Sequence, residues 1–333
     1  MLGVTTPDMV AAIADVGGLG SLPVGGLSPN RTAELIRLTK DKTEQPFAVN
    51  LFTHDTTTAI AQTQLDNIQQ LLRSVHQELG IPFDPKLVSD FTFYSYKDQL
   101  EVLLAEQVRV VSFTFGLLEA HEIDRLKSQG CQLIGTATSV REAILLDQLG
   151  VDAIVAQGIE AGGHRGSFLT DEALPQVGLI ALLPQVIDAV SVPVIAAGGL
   201  FDDRTIKAAF ILGAAGVQLG SLFIASDESA ASEAYKEAVL SSTDTSSALT
   251  KAFTGRWARG ITNGFMERVE QSGMSIPYYT YQNSLTAAMR AHGQEHNLVD
   301  FISLWAGQSA CRSQRGKASD IFLSLVSTLK EVL

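Results

Sequence analysis

An imidazole and a guanidinium stand side by side in a loop made largely of glycine, Gln157-Gly158-Ile159-Glu160-Ala161-Gly162-Gly163-His164-Arg165-Gly166. Imidazole moves protons near neutral pH, and guanidinium is a permanent cation suited to clamping an anion. Gly158, Gly162, Gly163 and Gly166 leave little side chain above the preceding strand, so a flat ligand can lie against bare backbone. That strand is the apolar run Ala153-Ile154-Val155-Ala156. The loop reads as a cofactor platform, with His164 as candidate base and Arg165 as candidate clamp for the substrate. A lone histidine is commonly a surface or supporting residue. The flanking Gly162-Gly163 and Arg165-Gly166 set His164 apart from His76, His121, His292 and His296, while His54 lies near another strand end.

Two further glycine loops follow late strands, Ala196-Ala197-Gly198-Gly199-Leu200 and Gly216-Val217-Gln218-Leu219-Gly220-Ser221. Glycines of this kind also make plain strand-to-helix turns. Two adjacent loops fit better a phosphate held by backbone N–H groups, since late strands of α/β barrels repeatedly carry such a site. Asn50, Gln157 and Gln218 are read as amides at strand ends. An amide both donates and accepts, which suits the edge of a flavin ring. No His/Cys/Asp cluster has metal-ligand spacing, so no metal is expected, and there is neither a Walker A nor a G-x-S-x-G signature.

These loops need elements to carry them. Short apolar strands alternate with helix-length amphipathic segments, beginning with a helix that Thr5-Thr6-Pro7 opens. Strands are expected around Leu19, Phe47, Val108, Cys131, Ala153, Val194 and Val217. Ser28, Ser139 and Asp202 or Asp203 mark helix starts. Helices are also expected from Thr57 to Leu79, from Ser95 to Ala105 and from about Leu118. Apolar strands each followed by a helix make a covered parallel sheet. The expected fold is α/β, a TIM-type (β/α)8 barrel whose first strand lies ahead of Met1, outside the given sequence. An open doubly wound sheet is the competing architecture, disfavoured because no G-x-G-x-x-G follows an early strand. Residues 1–225 are assigned to the barrel and 226–300 to a small, mainly helical, Tyr-containing substrate or lid domain. Residues 301–333 hold a terminal helix that returns to the barrel wall, with Ile321, Phe322, Leu325, Leu329 and Val332 on one face.

The bulk properties agree with an enzyme of this kind. The chain has 333 residues, 46% of them hydrophobic, and a formal net charge of -12. An acidic surface disfavours nucleic acid and anionic membranes as partners. Two cysteines, Cys131 and Cys311, form no disulfide framework. The N-terminus has no signal-peptide pattern and no apolar run spans a bilayer, so a cytoplasmic location is expected. The Tyr-containing segment offers a surface for a homodimer contact.

Glu160-Ala161-Gly162-Gly163-His164-Arg165-Gly166, Ala196-Ala197-Gly198-Gly199 and Gly216-Val217-Gln218-Leu219-Gly220 together resemble the nitronate monooxygenase (2-nitropropane dioxygenase) family. Gly17-Gly18-Leu19-Gly20-Ser21 and Val111-Ser112-Phe113-Thr114-Phe115-Gly116 extend the resemblance over nearly the whole chain. It implies FMN in a TIM-type barrel with no metal, and oxidation of alkyl nitronates, or nitroalkanes after proton removal, with O2 to carbonyl compounds and nitrite. By that resemblance His164 is the catalytic histidine. Met1, Gly3, Asn50, Gln157, Gly162, Gly163, Gly198, Gly199, Gln218, Leu219, Gly220 and Ser221 bind the FMN. Ser221 stands where the family usually has threonine. Tyr278, Tyr279 and Tyr281 are implied near the substrate, with Arg165 on the nitro oxygens. The alternatives are an FMN-dependent enoyl-ACP reductase using NAD(P)H, which has a similar histidine loop, and a flavin-binding relative without turnover.

Overall fold

The computed structural model describes residues 1–54, 56, 59–169 and 174–330. Its strands are β1 (Ser21–Pro23), β2 (Ala48–Phe52), β3 (Val110–Thr114), β4 (Gln132–Ala137), β5 (Ala153–Gln157), β6 (Gly163–His164), β7 (Val194–Ala197), β8 (Gly216–Gln218), β9 (Ser247–Thr250) and β10 (Ala258–Ile261). The helices of the first half are α1 (Pro7–Ala14), α2 (Pro29–Lys40), α3 (Gln62–Leu79), α4 (Tyr96–Ala105), α5 (Ala120–Ser128) and α6 (Val140–Leu149). The second half adds α7 (Leu179–Ala189), α8 (Asp203–Ile211), α9 (Glu233–Leu240), α10 (Gly264–Ser272), α11 (Tyr281–Leu285), α12 (Ala287–Glu295) and α13 (Ala318–Lys330).

Seven strands form one parallel sheet in the order β1-β2-β3-β4-β5-β7-β8, the curled sheet of a TIM-type barrel. Every strand expected from an apolar run is present. Helix starts also fall where their caps stand: Thr6, Ser28, Ser95, Ser139 and Asp202 each accept a backbone N–H of the first turn. The edge strands β1 and β8 have one neighbour each among the described residues. Outside them, α13 packs on both α1 and α8, so the ring of helices continues past the two sheet edges. The expected start of α3 at Thr57, and Val332 at the chain end, lie outside the described residues.

The two faces of the sheet differ. Val49, Leu51, Val111, Phe113, Leu133 and Ile154 are fully buried under the outer helices in the main apolar cluster. Asn50, Phe52, Ser112, Thr114, Ile134 and Thr136 alternate with them and remain half-buried on the inner face. That inner face carries the site.

Residues 226–300 add a small sheet to the helices α9 to α12: β9 and β10 pair antiparallel, and β10 pairs with β6 through Ala258–His164 and Arg259–Gly163. β10 carries no period-2 apolar pattern, because it is buried on both faces. Asn50 sits in mid-strand rather than at an end, since β2 runs on to Phe52. Leu19 lies outside β1 and is exposed. A Cβ on Gly20 would come within 2.3 Å of the Val10 carbonyl oxygen, so the turn before β1 is packed directly on α1.

A second apolar cluster joins Ile68, Leu71, Leu72 and Val75 of α3 to Phe253, Phe265, Met289 and Trp305. It draws on chain from both sides of residue 225 and holds the antiparallel sheet over the inner face.

Candidate active site

The histidine loop crosses the sheet at the ends of β3, β4 and β5. Gly166 lies so close that a Cβ there would meet Thr114 Oγ1 and Thr136 Cγ2, each at 2.8 Å. Gln157 secures the crossing: its Nε2 donates to the His164 carbonyl at 3.1 Å, and its Oε1 accepts the Gly166 N–H at 2.8 Å. Both ends of this amide are therefore committed to the loop. Three of the four glycines answer to packing. At Gly158 a Cβ would strike Glu160 and Leu179, and at Gly162 it would fall 2.4 Å from Gly307 N. Gly163 has a positive φ of 74°, a conformation that disfavours side chains, and stands beside the Met1 sulfur. Gly3 turns at φ 82° in the segment that carries Met1 there.

His164 Nε2 is 2.8 Å from Thr254 Oγ1. Around the imidazole lie Trp305 at 5.5 Å, Tyr279 at 5.6 Å, Phe115 at 5.7 Å and Phe52 at 6.4 Å between ring centroids. The His54 ring is 4.8 Å from Tyr279. Burial, and then the charges of Arg256, Arg290 and His54, push the His164 pKa down to about 3, so the imidazole is neutral at physiological pH. Burial raises the Tyr279 phenol to about 12, against the pull of the same two guanidinium groups.

Arg256 and Arg290 escaped the sequence reading. The Arg256 guanidinium lies 3.9 Å over the Phe115 ring, and its Nη2 donates to the Ser167 carbonyl. Arg290 gives Nη2 to Asn283 O and Oδ1 at 2.7 and 2.9 Å, and Nε to Thr286 Oγ1 at 3.1 Å. Burial lowers each to about 10, which leaves both cationic. Their sequence surroundings are ordinary, and no motif singles them out. Phe115 adopts φ 81°, a strained conformation for a bulky residue, at a pocket wall.

Two sequence expectations are not met by the geometry. Arg165 is fully buried and donates to the carbonyls of Gly158 at 2.6 Å and Gln157 at 3.0 Å, bracing the loop from beneath instead of facing a substrate. Tyr281 packs in a separate apolar cluster, its ring 4.9 Å from Phe93 and 5.1 Å from Phe91, while Tyr279 alone of the pair reaches His164.

The other two glycine loops meet next to this pocket. A Cβ on Gly198 would come within 3.1 Å of Ala161 N, and Gly199 abuts Glu160. Gly198 and Gly199 both have positive φ, 116° and 71°. Among the described residues no protein acceptor takes the N–H of Gly199, Gly220 or Ser221. Gly220 has open space where a Cβ would be. Ser221 Oγ accepts the Gly307 N–H at 2.8 Å, and the side chains of Gln218 and Leu219 lie exposed and half-buried beside it. Unpartnered donors around a side-chain-free hollow fit a phosphate. Asn50, at 3.0 Å from Ser112 Oγ, lies on the inner face below.

The family model for nitronate monooxygenase matches residues 1–328. The chain belongs to the nitronate monooxygenase family. Members are flavin-dependent oxidoreductases, and this chain is such an enzyme. Among nitronate monooxygenases, a protein of Staphylococcus aureus (strain Newman) described as a probable one is 39% identical, covering all of this chain and 93% of its own. The solved nitroalkane oxidase of Streptomyces ansochromogenes superposes with a TM-score of 0.88 at 31% identity over 99% of this chain and 93% of its own. FabK from Thermotoga maritima follows at 0.77 and 26%, covering 99% and 91%. Within the described residues no helix is long and apolar enough to cross a membrane.

Proposed function

We propose that this enzyme binds FMN and oxidises alkyl nitronates with O2 to carbonyl compounds and nitrite. The observation that carries the reading is a histidine walled by aromatic rings, 2.8 Å from Thr254 Oγ1, at the strand ends beside backbone N–H groups that no protein acceptor takes among the described residues. The N–H groups of Gly199, Gly220 and Ser221 would hold the FMN phosphate, and Asn50 on the inner sheet face would hydrogen-bond its ring. Bound FMN supplies the redox chemistry.

The chain supplies the rest. A nitronate is already an anion, and Arg256 and Arg290 favour it electrostatically. Phe52, Phe115, Tyr279 and Trp305 exclude water, which strengthens those charges. Thr254 Oγ1 also lies 3.3 Å from the Arg256 carbonyl, to which it donates. With that hydroxyl proton on the Arg256 carbonyl, His164 would donate from Nε2 to Thr254 and Nδ1 would be the basic nitrogen. Burial, and then two nearby cations, make imidazolium unfavourable, so proton removal from a neutral nitroalkane is the harder reaction. Nitronates are the preferred substrates.

The test is oxygen uptake and nitrite release by the FMN-loaded protein with ethyl nitronate and with nitroethane. Turnover of the nitronate at least about tenfold faster than of nitroethane is expected. No oxygen uptake with either would refute the assignment, and rapid flavin bleaching by NADH or NADPH would favour the enoyl-ACP reductase reading instead.

A further inference from the structure

The carboxylate of Glu142 is fully buried although it belongs to the first turn of α6. A glutamate three residues after the Ser139 cap would ordinarily reach back to the cap backbone at the surface. This one does not. Its Oε2 accepts both the N–H and the hydroxyl of Thr138, each at 2.7 Å. Its Oε1 accepts the N–H groups of Phe168 at 2.6 Å and Leu169 at 3.3 Å, on a different segment. Each of these four contacts is a donor, which suits a group that only accepts.

The segment so held is the continuation of the histidine loop. Arg256 holds its carbonyls at Arg165, 3.4 Å from Nε, and at Ser167. Gln157 holds His164 and Gly166, as described. The Glu142 charge also acts electrostatically on Arg256 and Arg165. Contacts thus run from Glu142 through Phe168 and Ser167 to the guanidinium stacked on Phe115.

We propose that Glu142 is a positioning residue that, by fixing residues 167–169, sets the Arg256 guanidinium for the substrate anion. This rests on the proposed role of Arg256 in nitronate binding.

The test uses the FMN-loaded full chain and nitrate, a planar anion shaped like a nitronate head, with binding read by calorimetry. Glu142→Gln places an NH2 against at least one donor pair. It and Arg256→Met are each expected to weaken nitrate binding about tenfold, and the double variant no more than Arg256→Met alone. With ethyl nitronate, Glu142→Gln should raise KM while kcat stays within about threefold; a merely structural carboxylate would lower the thermal midpoint and leave KM in place. Unchanged nitrate affinity in Glu142→Gln, losses that multiply in the double variant, or no nitrate binding by the wild type each overturn the proposal. If Glu142→Gln does not fold, hydrogen exchange over residues 164–169 decides: Arg256→Met should deprotect the Phe168 and Leu169 amides, and unchanged protection overturns the coupling. Nitrate binding needs no turnover. A wild type that binds nitrate with the expected coupling but leaves nitronates untouched would therefore refute the activity and uphold the positioning role.

Discussion

The pocket places an aromatic wall and two guanidinium groups around an imidazole, and each should be separable by mutation. His164→Asn is expected to lower turnover of nitroethane, which must lose a proton, by about a hundredfold, the lower range for a proton-handling side chain, and that of ethyl nitronate by less, with FMN still bound in the visible spectrum. Arg256→Met should raise KM about tenfold and leave flavin content unchanged, because a charge-assisted contact to a bound anion contributes about 1.5–3 kcal/mol. The depressed His164 pKa has a stability consequence as well. Its folded value of about 3 lies below the ordinary 6.5, so between these two pH values the unfolded chain binds more protons than the folded one. This group's contribution to stability therefore falls as pH drops from about 6.5 toward 3 and is constant above. Thermal melts from pH 7 to 5 should show a shallower decline for His164→Asn than for the wild type; equal slopes would contradict a neutral buried imidazole.

At the scale of the elements, two glycines with different physics test the loops. A Cβ on Gly162 would fall 2.4 Å from Gly307 N and 2.5 Å from Ala306 C, both backbone atoms. Gly162→Ala must push the histidine loop off the 306–307 segment, and a loss of about 1–3 kcal/mol is expected together with loss of turnover. Gly220 has no atom within 4 Å of a Cβ and no positive φ. Gly220→Ala should melt like the wild type when stripped of flavin, yet bind FMN about tenfold more weakly, because the added methyl enters only the donor hollow. A thermal midpoint change in the flavin-free Gly220→Ala protein would contradict that assignment. Both loops were legible in the sequence as glycine clusters after apolar strands. The reason for each glycine was not. Gly158, Gly162 and Gly166 are small to let protein approach protein, while Gly220 is small toward open space, and spacing along a chain cannot distinguish these.

At the scale of the whole molecule, the candidate site is a joint between two apolar clusters. The sheet provides Asn50, Gln157 and the histidine loop; the chain around the cluster under α3 provides Thr254, Arg256, Tyr279 and Arg290. Phe253 is fully buried in that second cluster, one residue from the His164 partner Thr254. Phe253→Ala should cost about 3–5 kcal/mol and depress turnover beyond what the folded fraction explains, measured by melting and by activity per bound flavin.

The sequence alone determined the parallel α/β architecture, the seven strands, most helix starts and the histidine among glycines, because each is written in local chemistry. A buried strand is a continuous apolar run, a cap is a hydroxyl or carboxylate before a helix, and a tight turn is a glycine. Only the tertiary structure decided which cations gather near the imidazole. Arg165, adjacent to His164, gives both terminal nitrogens to the carbonyls of its own loop, whereas Arg256 and Arg290, distant in sequence, commit Nε and Nη2 alone among the described residues and act electrostatically on the imidazole. A guanidinium offers the same five donors wherever it stands. Whether they meet backbone or ligand depends on through-space packing, which in this fold is set by β6 pairing with β10.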